Sequence, residues 1–109
     1  MARITVGDVA SLPPGASVKV VQDGTDVLVA NVDGVICAIN SVCPHRGGDL
    51  SQGVIADGKV TCPKHHAVFD LKTGRNVTAA KIAFKSFKTG NARAYRVTVE
   101  DSTITVDTD

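Results

Sequence analysis

An all-β domain, a small antiparallel sandwich or barrel, is what this sequence predicts, on three observations. Short runs rich in Val, Ile and Thr recur along the chain, and they alternate or stay apolar as strands do. Asp-Gly pairs stand between such runs at Asp23-Gly24, Asp33-Gly34 and Asp57-Gly58, and that dipeptide suits the positive φ angles of tight hairpin turns. Helix signal is scarce: Asp8 to Ala10 leaves room for one helical turn before Pro13-Pro14.

Taken in order, SVKVV and TDVLVANV flank Asp23-Gly24, and VICAI follows Asp33-Gly34. KVTC comes after Asp57-Gly58, and AYRVTVED closes the series, with Glu100-Asp101-Ser102 turning it into TITV as a last hairpin. Two segments break the pattern. NSVCPHRGGDLSQG carries a cysteine, a histidine, adjacent glycines and few hydrophobes, so it reads as an irregular loop serving a site. A second such loop begins at Cys62.

The chain has 109 residues, enough for one domain with an adequate core. Hydrophobic residues make up 43% and charged ones 21%, which suits an ordinary globular protein. With no Trp, one Tyr and three Phe, the core must be built from Val, Ile, Leu and Ala. No apolar stretch is long enough to span a bilayer, and MARITVGDV lacks the pattern of a secretory signal. A cytoplasmic location is expected.

Seven basic residues and no acidic one lie between positions 71 and 99: Lys72, Arg75, Lys81, Lys85, Lys88, Arg93 and Arg96. Two readings are open, a solvated face balanced by acidic strands nearby, or steering toward an acidic redox partner. Nucleic acid is not expected, because no aromatic platform accompanies the charges.

Three cysteines do not make a disulfide framework. Cys37, inside VICAI, is expected to be a small buried hydrophobe. Cys43 and Cys62 each precede a proline and stand close to histidine. The first loop reads Cys43-Pro44-His45 and the second Cys62-Pro63-Lys64-His65, with sixteen residues between His45 and Cys62. Each loop therefore offers one thiolate and one imidazole. Zinc is a competitor, since structural zinc sites use the same residue types, but they commonly pair their cysteines in one knuckle and their histidines in another.

CPHRGGDLS followed by CPKHHAVFDLKTG resembles the two cluster-binding loops of Rieske ferredoxins. The resemblance extends to Gly48-Asp49-Leu50 and to the FDLKTG turn. It implies a Rieske-like fold with one domain over 1–109, in which about 40–76 form a cluster-binding subdomain and the remainder a base β-domain. It also implies one [2Fe–2S] cluster, with Cys43 and Cys62 on the inner iron and His45 and His65 on the outer. Replacing two thiolates by neutral imidazoles takes the oxidised cluster from a charge of minus two to zero, which favours reduction and raises the potential.

At the second loop the family usually has glycine where this chain has His66. Two roles are open to His66, a side chain pointing to solvent or a titrating neighbour of the ligands. High-potential members carry a disulfide between the loops and a Ser and Tyr donating toward the cluster sulfurs. Here those positions are Gly48 and Lys64, and Ala67 and Phe69, so a low-potential, ferredoxin-type protein is expected. The family's proline-rich third loop is also missing. NVTAAKIAFKSFKTGNA, without proline, stands in its place, either as a cover built from Ala79, Ala80 and Ile82 or as something else.

The function this implies is a soluble carrier passing one electron from a flavin-dependent reductase to a terminal oxygenase, a non-enzyme component of a multicomponent system. A cluster-bearing small subunit of an assimilatory nitrite reductase is the alternative, and a zinc-stabilised binding module the third. Ferredoxins of this size are commonly monomers. Pro44, His45, Pro63, Lys64 and His65 are expected to form a small docking tip.

Overall fold

The computed structural model describes residues 3–44, 47–64, 66–78, 80–82, 85–87 and 89–108, with backbone alone for 80–82 and 85–87. His45 and His65 lie outside the described residues.

Six strands form one antiparallel sheet. In chain order they are β1 (Arg3–Asp8), β2 (Ser17–Gln22), β3 (Thr25–Val32) and β4 (Val35–Asn40), then β11 (Ala94–Glu100) and β12 (Thr103–Asp107). Their order across the sheet is β1-β12-β11-β4-β3-β2. Four short strands form a second sheet in sequence order, β5 (Val54–Ala56), β6 (Lys59–Thr61), β7 (Val68–Asp70) and β8 (Asn76–Thr78). A separate hairpin pairs β9 (Ala80–Ile82) with β10 (Lys85–Phe87). The all-β expectation holds.

The hairpins close as their turn residues dictate. Asp23, Asp33 and Asp57 have φ of 51°, 51° and 53°, and each following glycine is also left-handed. Two consecutive positive φ angles make the mirror-image turn whose twist matches a strand pair. The last hairpin uses the same shape without glycine, Asp101 at 50° and Ser102 at 66°, between the paired Glu100 and Thr103. One turn of 3-10 helix, Val9–Ser11, follows Asp8, whose Oδ1 accepts the Ala10 amide at 2.7 Å. β1 was not among the expected strands. Its partner is the distant β12, and a register shift between Thr5 and Gly7 disturbs its alternation.

β3 organises the interior. Val27 and Val29 face a core with Ile4, Leu12, Ala38, Ile104 and Val106, whereas Leu28 and Ala30 face a second core. A strand buried on both faces must be apolar at successive positions, which is why VLVA runs without alternation. The second core joins the large sheet to the small one through Ile39, Leu50, Val60, Phe69, Leu71 and Ala92, and it contains Cys43 and Cys62. Cys37 is buried at 6% exposure, as expected, and burial pushes its thiol pKa up.

The segment in place of a proline-rich loop becomes β8 and the β9–β10 hairpin. Its base is pinned to the FDLKTG turn. Asp70 Oδ1 accepts the Lys72 and Thr73 amides, the Gly74 amide donates to Asp70 O, and Gly74 O accepts the Ala92 amide at 2.7 Å. Asn91 Oδ1 accepts the Asn76 amide at 2.8 Å. Of the residues expected to form a cover, Ala80 and Ile82 lie in β9, and Ala79 falls outside the described residues.

Gly74 is held at φ +75°, and a Cβ there would run into the Ala92 carbonyl. Gly74→Ala is expected to lower stability by at least about 2 kcal/mol, combining left-handed strain with overpacking. Urea unfolding checks it: the midpoint should fall with an unchanged slope.

Candidate metal centre

Two loops enter the second core, and their cysteines are closed by the same backbone pattern. The Cys43 amide donates to Gly48 O at 2.7 Å, and Cys43 O accepts the Gly47 amide at 2.9 Å. In the other loop the Cys62 amide donates to Ala67 O at 2.7 Å, and Cys62 O accepts the His66 amide at 3.1 Å. Each cysteine thus binds the residues four and five places on, and each loop turns tightly around its sulfur.

The turn needs a left-handed residue four places after the cysteine. Gly47 takes φ +70° in the first loop and His66 takes φ +63° in the second. That is the physical sense of a glycine at this position, since other residues pay steric strain there. Of the two roles open to His66, exposure to solvent is what the structure supports: it is exposed.

Cys43 and Cys62 are each 2% exposed and belong to one buried cluster with Leu50, Ala67 and Phe69. The loops touch at Gly48, where a Cβ would lie 2.8 Å from Cys62 Sγ and 3.3 Å from Lys64 Cβ. Gly48 therefore keeps open the space beside the second sulfur. The same geometry puts positions 48 and 64 at about the Cβ separation a disulfide uses, so the two bridge positions of the resemblance do face each other across the loops.

Of the four expected ligands, the structure buries Cys43 and Cys62 in the same cluster, while His45 and His65 lie outside the described residues. Two soft sulfur donors from separate loops, buried in one apolar cluster, fit an iron–sulfur group, with Gly48 as the cradle that a side chain would fill. Pro44, Pro63 and Lys64 are exposed, in keeping with a tip.

The first loop is more ordered than its composition suggests. Val42 forms an isolated antiparallel bridge with Asp49, and Leu50–Gln52 makes a turn of 3-10 helix capped by Asp49. The hydrogen-bond hub of this loop is Asp49, which gathers Ser41, Ser51 and Lys19 around one carboxylate. Burial pushes its pKa up, but hydrogen bonds from Lys19, Ser51 and Ser41 outweigh this and hold it well below the usual carboxylate range. The sequence marks it only as the Asp of Gly48-Asp49-Leu50, with nothing to point to Lys19. The basic run, in turn, is divided by the fold. Arg96 stands cross-strand from Asp107, as does Arg3, and Arg93 lies 5.2 Å from the centre of the Tyr95 ring.

His66→Gly should relieve the left-handed strain and raise stability by about 0.5–1 kcal/mol, read as a higher urea midpoint. A drop in midpoint would mean that the His66 side chain carries a stabilising contact.

A profile of the Rieske [2Fe-2S] domain family matches residues 2–98. The 3-phenylpropionate/cinnamic acid dioxygenase ferredoxin subunit of Shigella boydii serotype 4 (strain Sb227) is 35% identical over 108 residues, 98% of this chain and 94% of that protein. Among solved structures, the ferredoxin of carbazole 1,9a-dioxygenase from Nocardioides aromaticivorans IC177 superposes with a TM-score of 0.82 at 27% identity, covering 100% of both chains. A Mycobacterium tuberculosis protein assigned as an NADH-dependent nitrite reductase small subunit shares the fold, with a TM-score of 0.76 at 24% identity over 96% of this chain and 93% of that one. No helix among the described residues is long and apolar enough to cross a membrane. With the paired cysteine loops and this match over most of its length, the chain belongs to the Rieske [2Fe-2S] domain family, whose cofactor is a Rieske-type [2Fe–2S] cluster.

Proposed function

We propose that this chain is a one-electron carrier, taking an electron from a flavin-dependent reductase and delivering it to a terminal oxygenase, without transforming a substrate itself. Cys43 and Cys62 are the thiolate ligands of the inner iron, and His45 and His65 the imidazole ligands of the outer one. The site lies in a cluster-binding part spanning about 40–76, within a single domain over 1–109, and the carrier works as a cytoplasmic monomer. Bound there, a Rieske cluster supplies a centre that gains and loses one electron.

One observation carries the reading: two loops of matching backbone closure each bury a cysteine in the same apolar cluster, with Gly48 leaving room beside Cys62 Sγ. The oxygenase as acceptor is supported by the relatives, whose names are those of ferredoxins of dioxygenase systems. The nitrite reductase alternative has a likeness in fold alone behind it.

The chain's own residues define the carrier's task. Pro44 and Pro63 are exposed and stiffen both loops one residue past each cysteine, which keeps reorganisation small. Ala67 and Phe69, 1% and 0% exposed, offer no side-chain donor toward the sulfurs. Fewer donors stabilise the reduced, more negative state less, which places the potential near about −150 mV rather than +300 mV.

Anaerobically purified protein should contain iron and acid-labile sulfide in equal amounts and give a rhombic EPR signal on reduction. Protein-film voltammetry should find a midpoint near about −150 mV, raised by Ala67→Ser with Phe69→Tyr. With imidazole ligands, the potential should fall by about 59 mV per pH unit once oxidation releases a proton. A colourless zinc protein would refute the carrier. A midpoint above about +100 mV would refute the low-potential assignment alone.

A further inference from the structure

Asp49 is tied on both carboxylate oxygens. Its Oδ1 accepts from Ser41 Oγ at 2.8 Å, from the Ser51 amide at 3.0 Å and from Ser51 Oγ at 2.7 Å. Its Oδ2 takes Lys19 Nζ at 2.8 Å, and Lys19 comes from β2, thirty residues away, on the edge of the large sheet. Ser41 is fully buried, its amide donating to Asp26 O and its carbonyl accepting the Leu50 amide. Asp26 also stands 3.7 Å from Lys19 Nζ.

What these bonds hold in place is the cysteine loop. Asp49 bridges Val42, the residue before Cys43. It directly follows Gly48, whose carbonyl accepts the Cys43 amide and where a Cβ would lie 2.8 Å from Cys62 Sγ. A shift of Asp49 therefore displaces both contacts that relate one sulfur to the other.

We propose that Asp49, anchored from outside its loop by Lys19, is a positioning residue that sets the placement of Cys43 against Cys62 and hence the geometry of the cluster site. The inference rests on the ligand reading above. Generic stabilisation of the fold does not account for the arrangement equally well. An exposed lysine–carboxylate pair contributes little to global stability, whereas a pair linking a sheet edge to a ligand loop acts on the loop's position.

The experiment compares holoprotein variants by the rate at which a chelator bleaches the cluster and by the width of the reduced-state EPR lines. Asp49→Ala removes an acceptor from buried Ser41 and should speed bleaching at least about tenfold, with broadened lines. Lys19→Met, which leaves the loop sequence intact, should speed it roughly threefold, and Lys19→Arg should restore the wild-type rate. Asp49→Asn keeps the Oδ1 acceptor and should fall between wild type and Asp49→Ala. Asp26→Asn, on the far side of Lys19, serves as control and should stay within about twofold.

If Asp49→Ala does not fold, the two Lys19 variants decide. Lys19→Met protein that bleaches like wild type with unchanged EPR overturns the positioning role alone. Rates that change only in step with the urea midpoint, with no EPR change, overturn it too. A wild-type protein that holds no cluster overturns both this inference and the ligand reading beneath it.

Discussion

The structure depends on how two cysteines are held. Each donates its amide to a carbonyl five residues on and accepts an amide from the residue between, and the loops meet where Gly48 presents no side chain to Cys62 Sγ. Backbone bonds fix such a turn more firmly than side-chain contacts, because neither partner has rotamers to lose. The sulfurs also sit in a wall of apolar residues from both sheets, so the loops and the core are one construction.

β3 makes that construction possible. Its Val27 and Val29 belong to the core with β1, β4 and β12, and its Leu28 and Ala30 to the core that holds Cys43 and Cys62. The small sheet cannot bury its apolar side alone, and Val60, Phe69 and Leu71 find their cover against β3 and β4. Asp49 and Lys19 add a polar tie at the rim of the same junction. Packing from below and charge from the side converge on the first loop.

Much of this was legible in the sequence because the determinants are local. Asp-Gly pairs impose turn shape through their own φ angles, and the mixed Cys and His spacing marks the loops without reference to anything distant. What was not legible depends on partners far along the chain. β1 exists because β12 pairs with it, and three-residue strands such as β5 and β7 are too short to display a period. The 71–99 basic run looked like one feature in sequence, yet the sheet sets Arg96 opposite Asp107 and Arg93 beside Tyr95. Asp49 stood out only as part of Gly48-Asp49-Leu50, because its tie to Lys19 spans thirty residues of chain. His66 looked anomalous against a family glycine, and its φ of +63° explains the family's preference and marks the substitution as a tolerated strain.

The central claim is an asymmetric iron pair, one metal held by sulfur from Cys43 and Cys62 and the other by nitrogen from His45 and His65. Mössbauer spectroscopy on iron-57-enriched oxidised protein addresses it most directly. The account predicts two quadrupole doublets of equal area and different isomer shift, one for each ligand set. A single doublet with the shift of all-sulfur coordination would contradict it.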